Sequence, residues 1–302
     1  MNFFRYDLNI DFIGRQRFFI GISVLFVCLS LFIIFFKGLQ FGIDFSGGTE
    51  IYVKFKTAID SAEVRNILEK ANWKDAMVQH FGKEEEREFL IRLEQADQQN
   101  QFVSEELSKI FTAAKGKEFF EITKVEVVGP RVGSDLKRRG AWAMFYSLIG
   151  ILLYVALRFD IRFSPGAVVA LIHDVIITLG VFTLAGKKFD LTILAALLTI
   201  VGYSVNDTIV IFDRIRENMK SLEGLSIVQI VNRSINETLS RTIITSFTVF
   251  LVVIALFVWG GQVIHDFSFS LIFGLIAGTY STIFIASPLF LFLHRYFESK
   301  KA

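Results

Sequence analysis

A chain of 302 residues that is 53% hydrophobic and carries 34 phenylalanines is too apolar for a soluble domain, yet 21% of its residues are charged, so the charges must be segregated. A net charge of +2, with no basic run interleaved with exposed aromatics, leaves no footprint for a nucleic-acid partner. Cys28 stands alone, which excludes a disulfide scaffold and a cysteine metal site.

Residues 1–17 are polar and aromatic, with Arg5, Arg15 and Arg17, and form an expected cytoplasmic segment. The apolar run that follows, Phe18 to Phe36, is longer than a signal-peptide core and lacks a small-residue cleavage site, so it predicts an uncleaved first membrane helix over 18–36. Five further runs approach the ~20 residues that a bilayer needs: Ala141 to Leu157, Phe163 to Ala185, Leu191 to Phe212, Thr242 to Trp259 and Phe267 to Phe292. With the amino end inside, Arg158, Arg162, the Arg214 to Arg233 connector and the tail at 294–302, with Arg295, Lys300 and Lys301, all fall inside. Only Lys187 and Lys188 fall in the short outer loops, and Gly260 to Asp266 carries no Lys or Arg, so charge bias predicts both termini in the cytoplasm.

Between the first and second spans, residues 37–139 predict a folded external domain. Thr49 to Lys56 alternates, with Ile51, Val53 and Phe55 on one face against Tyr52, Lys54 and Lys56. Asp60-Ser61 then starts a helix with the stripe Val64, Ile67, Leu68 and Ala71. Ala76 to Phe81 and Glu88 to Glu94 are strands around a Gly82-Lys83 turn, the second showing Phe89, Ile91 and Leu93 on one face. Val103, Leu107, Ile110, Phe111 and Ala114 form a second helical stripe, and Phe119 to Val128 closes as a strand. The order β-α-β-β-α-β predicts a ferredoxin-like α+β unit whose charges are solvated faces. The fold class is therefore an α-helical polytopic membrane protein, six transmembrane helices in a one-plus-five plan with one inserted external domain, the five spanning 140–293.

Asp207 lies inside the fourth apolar run, where an intramembrane charge costs at least about 2.5–3.5 kcal/mol and defaults to a functional reading with a partner nearby. The bland alternative is a protonated Asp held as helix glue by Asn206 or Ser204. At ~1.5 Å per residue, Asp207 lies roughly 9 Å from the boundary marked by Asp213, and His173 and Asp174 roughly 12–14 Å in from Pro165, so these groups could share a layer. Arg241 opens the fifth run and either reaches that layer or snorkels to the headgroups. A carboxyl beside a guanidinium is held ionised and one sealed in lipid is held neutral, so a helix movement that alternates the two environments would move a proton. The expected relay is Asp207 with Arg241, Asn206, His173 and Asp174, His173-Asp174 being equally readable as a local pair that holds helices together. Asp213 to Glu217 reads as a wet helix end, and His265-Asp266 as an external helix start. Gly42, Gly47 and Gly48, where a membrane helix hands over to a strand, form either a hinge or a static turn, and Gly274 with Gly278 suggests close helix packing, internal or with a partner.

Several motifs then occur in order: Gly42-Ile-Asp-Phe-Ser-Gly-Gly-Thr49, Gly129-Pro-Arg-Val-Gly133, Val201-Gly-Tyr-Ser-Val-Asn-Asp207, Phe212-Asp-Arg-Ile-Arg-Glu217 and Asn236-Glu-Thr-Leu-Ser-Arg-Thr242. Together they resemble the SecF branch of the SecD/SecF family, within the resistance-nodulation-division superfamily, over nearly the whole chain. The resemblance implies a half-transporter in the bacterial inner membrane that pairs with SecD and associates with the SecYEG channel and YidC. It implies use of the proton-motive force, with no cofactor, to help a preprotein across at the outer side of the membrane. The family's membrane Asp falls on Asp207 and its facing Arg on Arg241. Competing expectations are half of a proton-coupled small-molecule exporter of the same superfamily and a non-titrating assembly subunit. An intramembrane enzyme is disfavoured, since Gly202 to Asp207 is not the G-x-G-D pattern and no G-x-S-G motif occurs.

Overall fold

A computed structural model of the protein describes residues 9–73, 76–82, 87–93, 100–222 and 224–300. The first eight residues, Lys83 of the expected turn, Glu94 at the end of an expected strand, and Lys301 lie outside the described residues. The chain divides into a helical unit, residues 1–40, 142–187 and 192–302, and an αβ unit, residues 41–141 and 188–191.

In the αβ unit, a four-residue helix α2 (Ile43–Ser46) leads into β1 (Gly48–Phe55), α3 (Ser61–Lys70), β2 (Met77–Phe81), β3 (Glu88–Leu93), α4 (Asn100–Lys115) and β4 (Phe120–Val128). The sheet order is β2-β3-β1-β4 with every pair antiparallel, so the two β-α-β halves interleave as a ferredoxin-like unit. Alternation explains the register: Ile51, Val53 and Phe55 are shut away with Phe89 and Ile91, and the helices lay Val64, Leu68, Leu107 and Phe111 over that face. Ala114, expected on the buried stripe, is exposed in the last turn of α4. The opposite face departs from a solvated one. Glu50 is only 7% exposed and accepts from Arg92 Nε at 2.8 Å, directly across the β1–β3 pair. Burial and the Glu50 carboxylate beside it hold the Tyr52 hydroxyl well above the usual phenol range.

The helical unit contains α1 (Gln16–Lys37), α6 (Ser164–Leu184), α7 (Leu191–Ser221), α8 (Ile227–Trp259), α9 (Gln262–Ser281), a π-helical turn (Thr282–Ala286) and α10 (Ser287–Ser299), while α5 (Pro130–Arg158) runs from one unit into the other. Among the described residues, six helices are long and apolar enough to cross a membrane, the sixth running unbroken from α9 through the π turn into α10. Several helices overrun the apolar runs that mark them. α5 begins at Pro130 rather than near Ala141, and α8 at Ile227 rather than at Thr242. The added turns are polar and stitched by pairs at helical spacing, Arg139 to Asp135 at 2.6 Å and Arg233 to Glu237 at 2.8 Å, which sustain a helix that an apolar count does not see. Ser226 starts α8 with a capping box closed by Gln229.

Candidate functional site

α7 is the element that carries the candidate site, and it presents different chemistry on each side. On one side, Ser204 Oγ donates to Asp174 Oδ2 at 2.7 Å, Ser281 Oγ donates to the same oxygen at 2.9 Å, and the adjacent His173 Nδ1 lies 3.0 Å from Asp174 Oδ1. Asp174 is wholly buried, and His173 is buried with Nε2 unpaired among the described residues. The approach is close because α9 carries glycine there: a Cβ on Gly278 would lie 3.1 Å from Ser204 Cβ and Oγ and 3.5 Å from the Asp174 carboxylate. Gly274, one turn earlier, would collide with Ile200 of α7, so the four-residue glycine spacing serves an internal helix contact. Thr208, one turn past Ser204, pairs with Thr282 at 3.1 Å where the π turn starts. π turns widen the ladder by one residue and recur at functional sites.

On the other side, Asp207 is 3% exposed and accepts from Ser246 Oγ of α8 at 3.3 Å. Tyr203 and Thr279 also donate to Ser246 Oγ, at 3.3 and 3.0 Å, so three helices converge on one serine. Neither expected partner holds Asp207. Ser204, three residues before it, turns to Asp174, and Asn206 is exposed with no described hydrogen bond. Arg241, expected to face Asp207, is exposed and makes no ion pair within 4 Å among the described residues, because it projects from a different side of α8 than Ser246 five residues on. Asp174 of α6 and Asp207 of α7 thus lie on different helices and have separate hydrogen-bond partners.

The polar end of α7 is a wet ion network. Glu237 of α8 accepts from Arg214 at 2.6 Å, Arg233 at 2.8 Å and Asn218 at 2.8 Å, while Asp213 pairs with Arg216 at 3.1 Å. Asn236, next to Glu237, clamps Ile10 by accepting from its N–H and donating to its carbonyl, both at 2.9 Å. The sequence motifs around Phe212 and Asn236 therefore meet through side chains. At the opposite end of these helices, Lys187 pairs with Asp266, joining the loop after α6 to the start of α9.

The glycine motif in the αβ unit is built as a turn. Gly47 has φ +76° and ψ 169°, a region open essentially to glycine alone, and a Cβ there would lie 2.9 Å from Pro130 Cα. Gly133 returns the fit, since its Cβ would lie 2.9 Å from Gly47 N, so the motifs at 42–49 and 129–133 interlock. Gly48 has φ +127° and opens β1. Gly42 donates to Phe189 O at 2.8 Å, and Asp44 Oδ2 accepts from Leu191 N–H at 3.0 Å, which satisfies an open donor at the first residue of α7.

A polytopic membrane protein with one ferredoxin-like insertion and a buried carboxyl on each of two spans, α6 and α7, is the class that this architecture defines. Residues 107–296 match the family described as protein export membrane protein SecD/SecF, C-terminal, and residues 32–59 match the SecD/SecF GG motif. The chain is 48% identical over 289 residues to the protein translocase subunit SecF of Calditerrivibrio nitroreducens, covering 94% of this chain and 93% of that relative. It is 47% identical over 296 residues to SecF of Magnetococcus marinus, covering 97% and 94%. The solved structure of SecDF from Thermus thermophilus, described as a translocon-associated membrane protein, superposes with a TM-score of 0.86 at 37% identity over 97% of this chain. SecDF in a super-membrane-facing form gives 0.72 at 37% identity over 98%. The chain spans 40% of the length of each of those solved chains. It belongs to the SecD/SecF family of protein export membrane proteins, in its SecF branch.

Proposed function

We propose that this SecF-branch subunit pairs with SecD and uses the proton-motive force to assist a preprotein at the outer side of the inner membrane, with the SecYEG channel and YidC as further partners and both termini in the cytoplasm. The observation that carries the reading is Asp207, a carboxyl enclosed within a membrane span and held by a single hydroxyl. Support for a missing half comes from the open side of α7, where Ala195, Thr199, Gly202 and Asn206 form an exposed stripe at helical spacing, with Arg241 exposed on α8. Small and polar residues facing outward from a membrane span are the composition of a helix interface rather than of a lipid face. In this reading SecD covers the stripe, and Asn206 and Arg241 act from that interface while Asp207 takes a proton from the outer side and releases it inward. His173 and Asp174 form a second, sealed pair in the same layer.

Support for a link to the outer domain comes from α7 itself. Its first N–H is held by Asp44 of the glycine motif, and Asp207 follows sixteen residues later, about 24 Å along one continuous helix. The test is Asp207→Asn in the assembled complex, which keeps shape and removes titration. Proton-gradient-dependent export is expected to fall to the level seen without the gradient. Full retention of it would leave a non-titrating assembly subunit as the better description.

A further inference from the structure

A long trough of about 610 Å³ runs between α1, α6 and the end of the sixth span, within the helical unit. Its walls are aliphatic and aromatic, including Ile20, Val24, Val27, Ile172, Ile176 and Phe292. From Gln16 at its mouth to Cys28 at its far end it follows α1 for roughly 18 Å, a little over half of the ~30 Å hydrocarbon core and so the depth of one leaflet. The mouth has the opposite character. Arg17 and Arg295 stand there, both exposed and neither with an ion pair or hydrogen bond among the described residues. The carboxylate one turn after Arg295, Glu298, is turned to His294 at 3.0 Å and leaves the guanidinium free.

An apolar slot one leaflet deep, with two uncommitted guanidinium groups at the headgroup end, is complementary to a molecule with a long hydrocarbon chain and an anionic head. We propose that the trough is a binding site for an anionic phospholipid, one acyl chain lying along α1 and the phosphate between Arg17 and Arg295. A zwitterionic lipid would fill the slot equally well but would bring a cationic group to the two arginines. The selectivity therefore resides in the mouth and the affinity common to both lipids in the walls.

Cys28 is the protein's only cysteine and lines the far end, so its alkylation reports occupancy. The full chain in neutral detergent is titrated with phosphatidylglycerol or with phosphatidylcholine of the same chains, and the rate of maleimide addition at Cys28 is read by mass. Phosphatidylglycerol is expected to protect Cys28 at concentrations where phosphatidylcholine does not. R17Q/R295Q is expected to raise the half-protecting phosphatidylglycerol concentration roughly 25-fold, about fivefold for each basic side chain, while R17K/R295K stays within a few-fold of the parent. Equal protection by the two lipids overturns the proposal, as does an unchanged phosphatidylglycerol titration in R17Q/R295Q. Protection by an added SecD half but not by phosphatidylglycerol would assign the trough to a protein and overturn it too. The comparison of lipids on the parent chain decides the matter even if the double glutamine variant fails to fold.

Discussion

Replacing Gly47 by alanine tests whether the glycine motif is a fixed turn or a compliant hinge. Two costs add. The backbone at φ +76° and ψ 169° disfavours any residue with a Cβ by about 1–3 kcal/mol. The new methyl would also sit 2.9 Å from Pro130 Cα, 3.1 Å from Pro130 N and 3.2 Å from Val128 O. These are backbone atoms that cannot swing aside, and relieving such overpacking costs about another 1–3 kcal/mol. The sum, about 2–6 kcal/mol, is a large share of the 5–15 kcal/mol by which a domain is stable. Hydrogen exchange of β1 peptides in the full chain should accelerate at least about 30-fold in Gly47→Ala. Gly42→Ala supplies the comparison: its φ of −70° suits alanine, and the new methyl meets the Asp190 side chain at 3.0 Å, so its effect should be about tenfold or less. Exchange in Gly47→Ala within threefold of the parent would refute the fixed turn and leave a segment free to re-form around the methyl.

Lys188→Met addresses a buried amine: burial first, then Arg92, lowers its pKa from 10.5 to about 8, while Glu50 acts the other way, and its Nζ has no described hydrogen-bond partner. Because the folded pKa is depressed, the native state releases this proton before the unfolded chain does, so stability should rise with pH between about 8 and 10.5. The side chain is half-buried with its stem still reached by water, so solvent screening cuts the nominal cost to about 1–2 kcal/mol, and denaturant unfolding of Lys188→Met should show that gain near neutral pH and none above about pH 10.5. A gain independent of pH would point to packing instead. Gly278→Ala pushes a methyl onto Ser204 and should cost about 1–3 kcal/mol, reduced by half or more when Ser204→Gly is added; thermal unfolding of the single and double variants measures the coupling. Asn236→Leu removes two side-chain bonds to Ile10, each worth about 1 kcal/mol, leaves the one from Asn232 to its carbonyl at 3.0 Å, and should make the chain near Arg15 measurably more sensitive to trypsin while the rest of the helical unit stays resistant.

The αβ unit was legible because each of its elements repeats a short apolar period. Ile51, Val53 and Phe55 announce one face of a strand, and Val64 with Leu68 one face of a helix, so order and sheet topology followed from alternation and chain order. The membrane spans were legible as runs, but their ends were not, since the run stops where charge begins while the helix continues: α7 reaches Ser221, well past Phe212. The glycine motif announced a turn at Gly47, but not that it would interlock with Gly133 more than eighty residues later. Glu50 and Arg92 were hidden for a different reason. Each sits in a strand on the face that alternation assigns to solvent, and only the register between β1 and β3 makes them a pair. In the membrane, Asp174 and Asp207 stood out as charges in apolar runs, whereas their hydroxyl partners did not. A serine or threonine in a helix can satisfy itself on the carbonyl four residues back, as Thr208 does on Ser204, so the sequence does not say which hydroxyls reach across.

That difference in partners sets how each carboxyl responds to movement. Asp174 of α6 is tied by Ser204 at 2.7 Å, Ser281 at 2.9 Å and its own neighbour His173 at 3.0 Å, so a small shift of α7 or of α9 leaves two bonds standing. Asp207 has one bond of 3.3 Å, already near the distance at which a hydroxyl contact ceases to be a hydrogen bond, and its donor Ser246 belongs to α8. A displacement of α8 by a few tenths of an ångström therefore removes the contact at Asp207 and spares those at Asp174. Ser246 is in turn held by Tyr203 of α7 and Thr279 of α9, so the same displacement must stretch hydroxyl bonds to both neighbours at once. The carboxyl most sensitive to helix movement is thus the one on the side of α7 next to the exposed stripe, where the preceding residue, Asn206, is exposed.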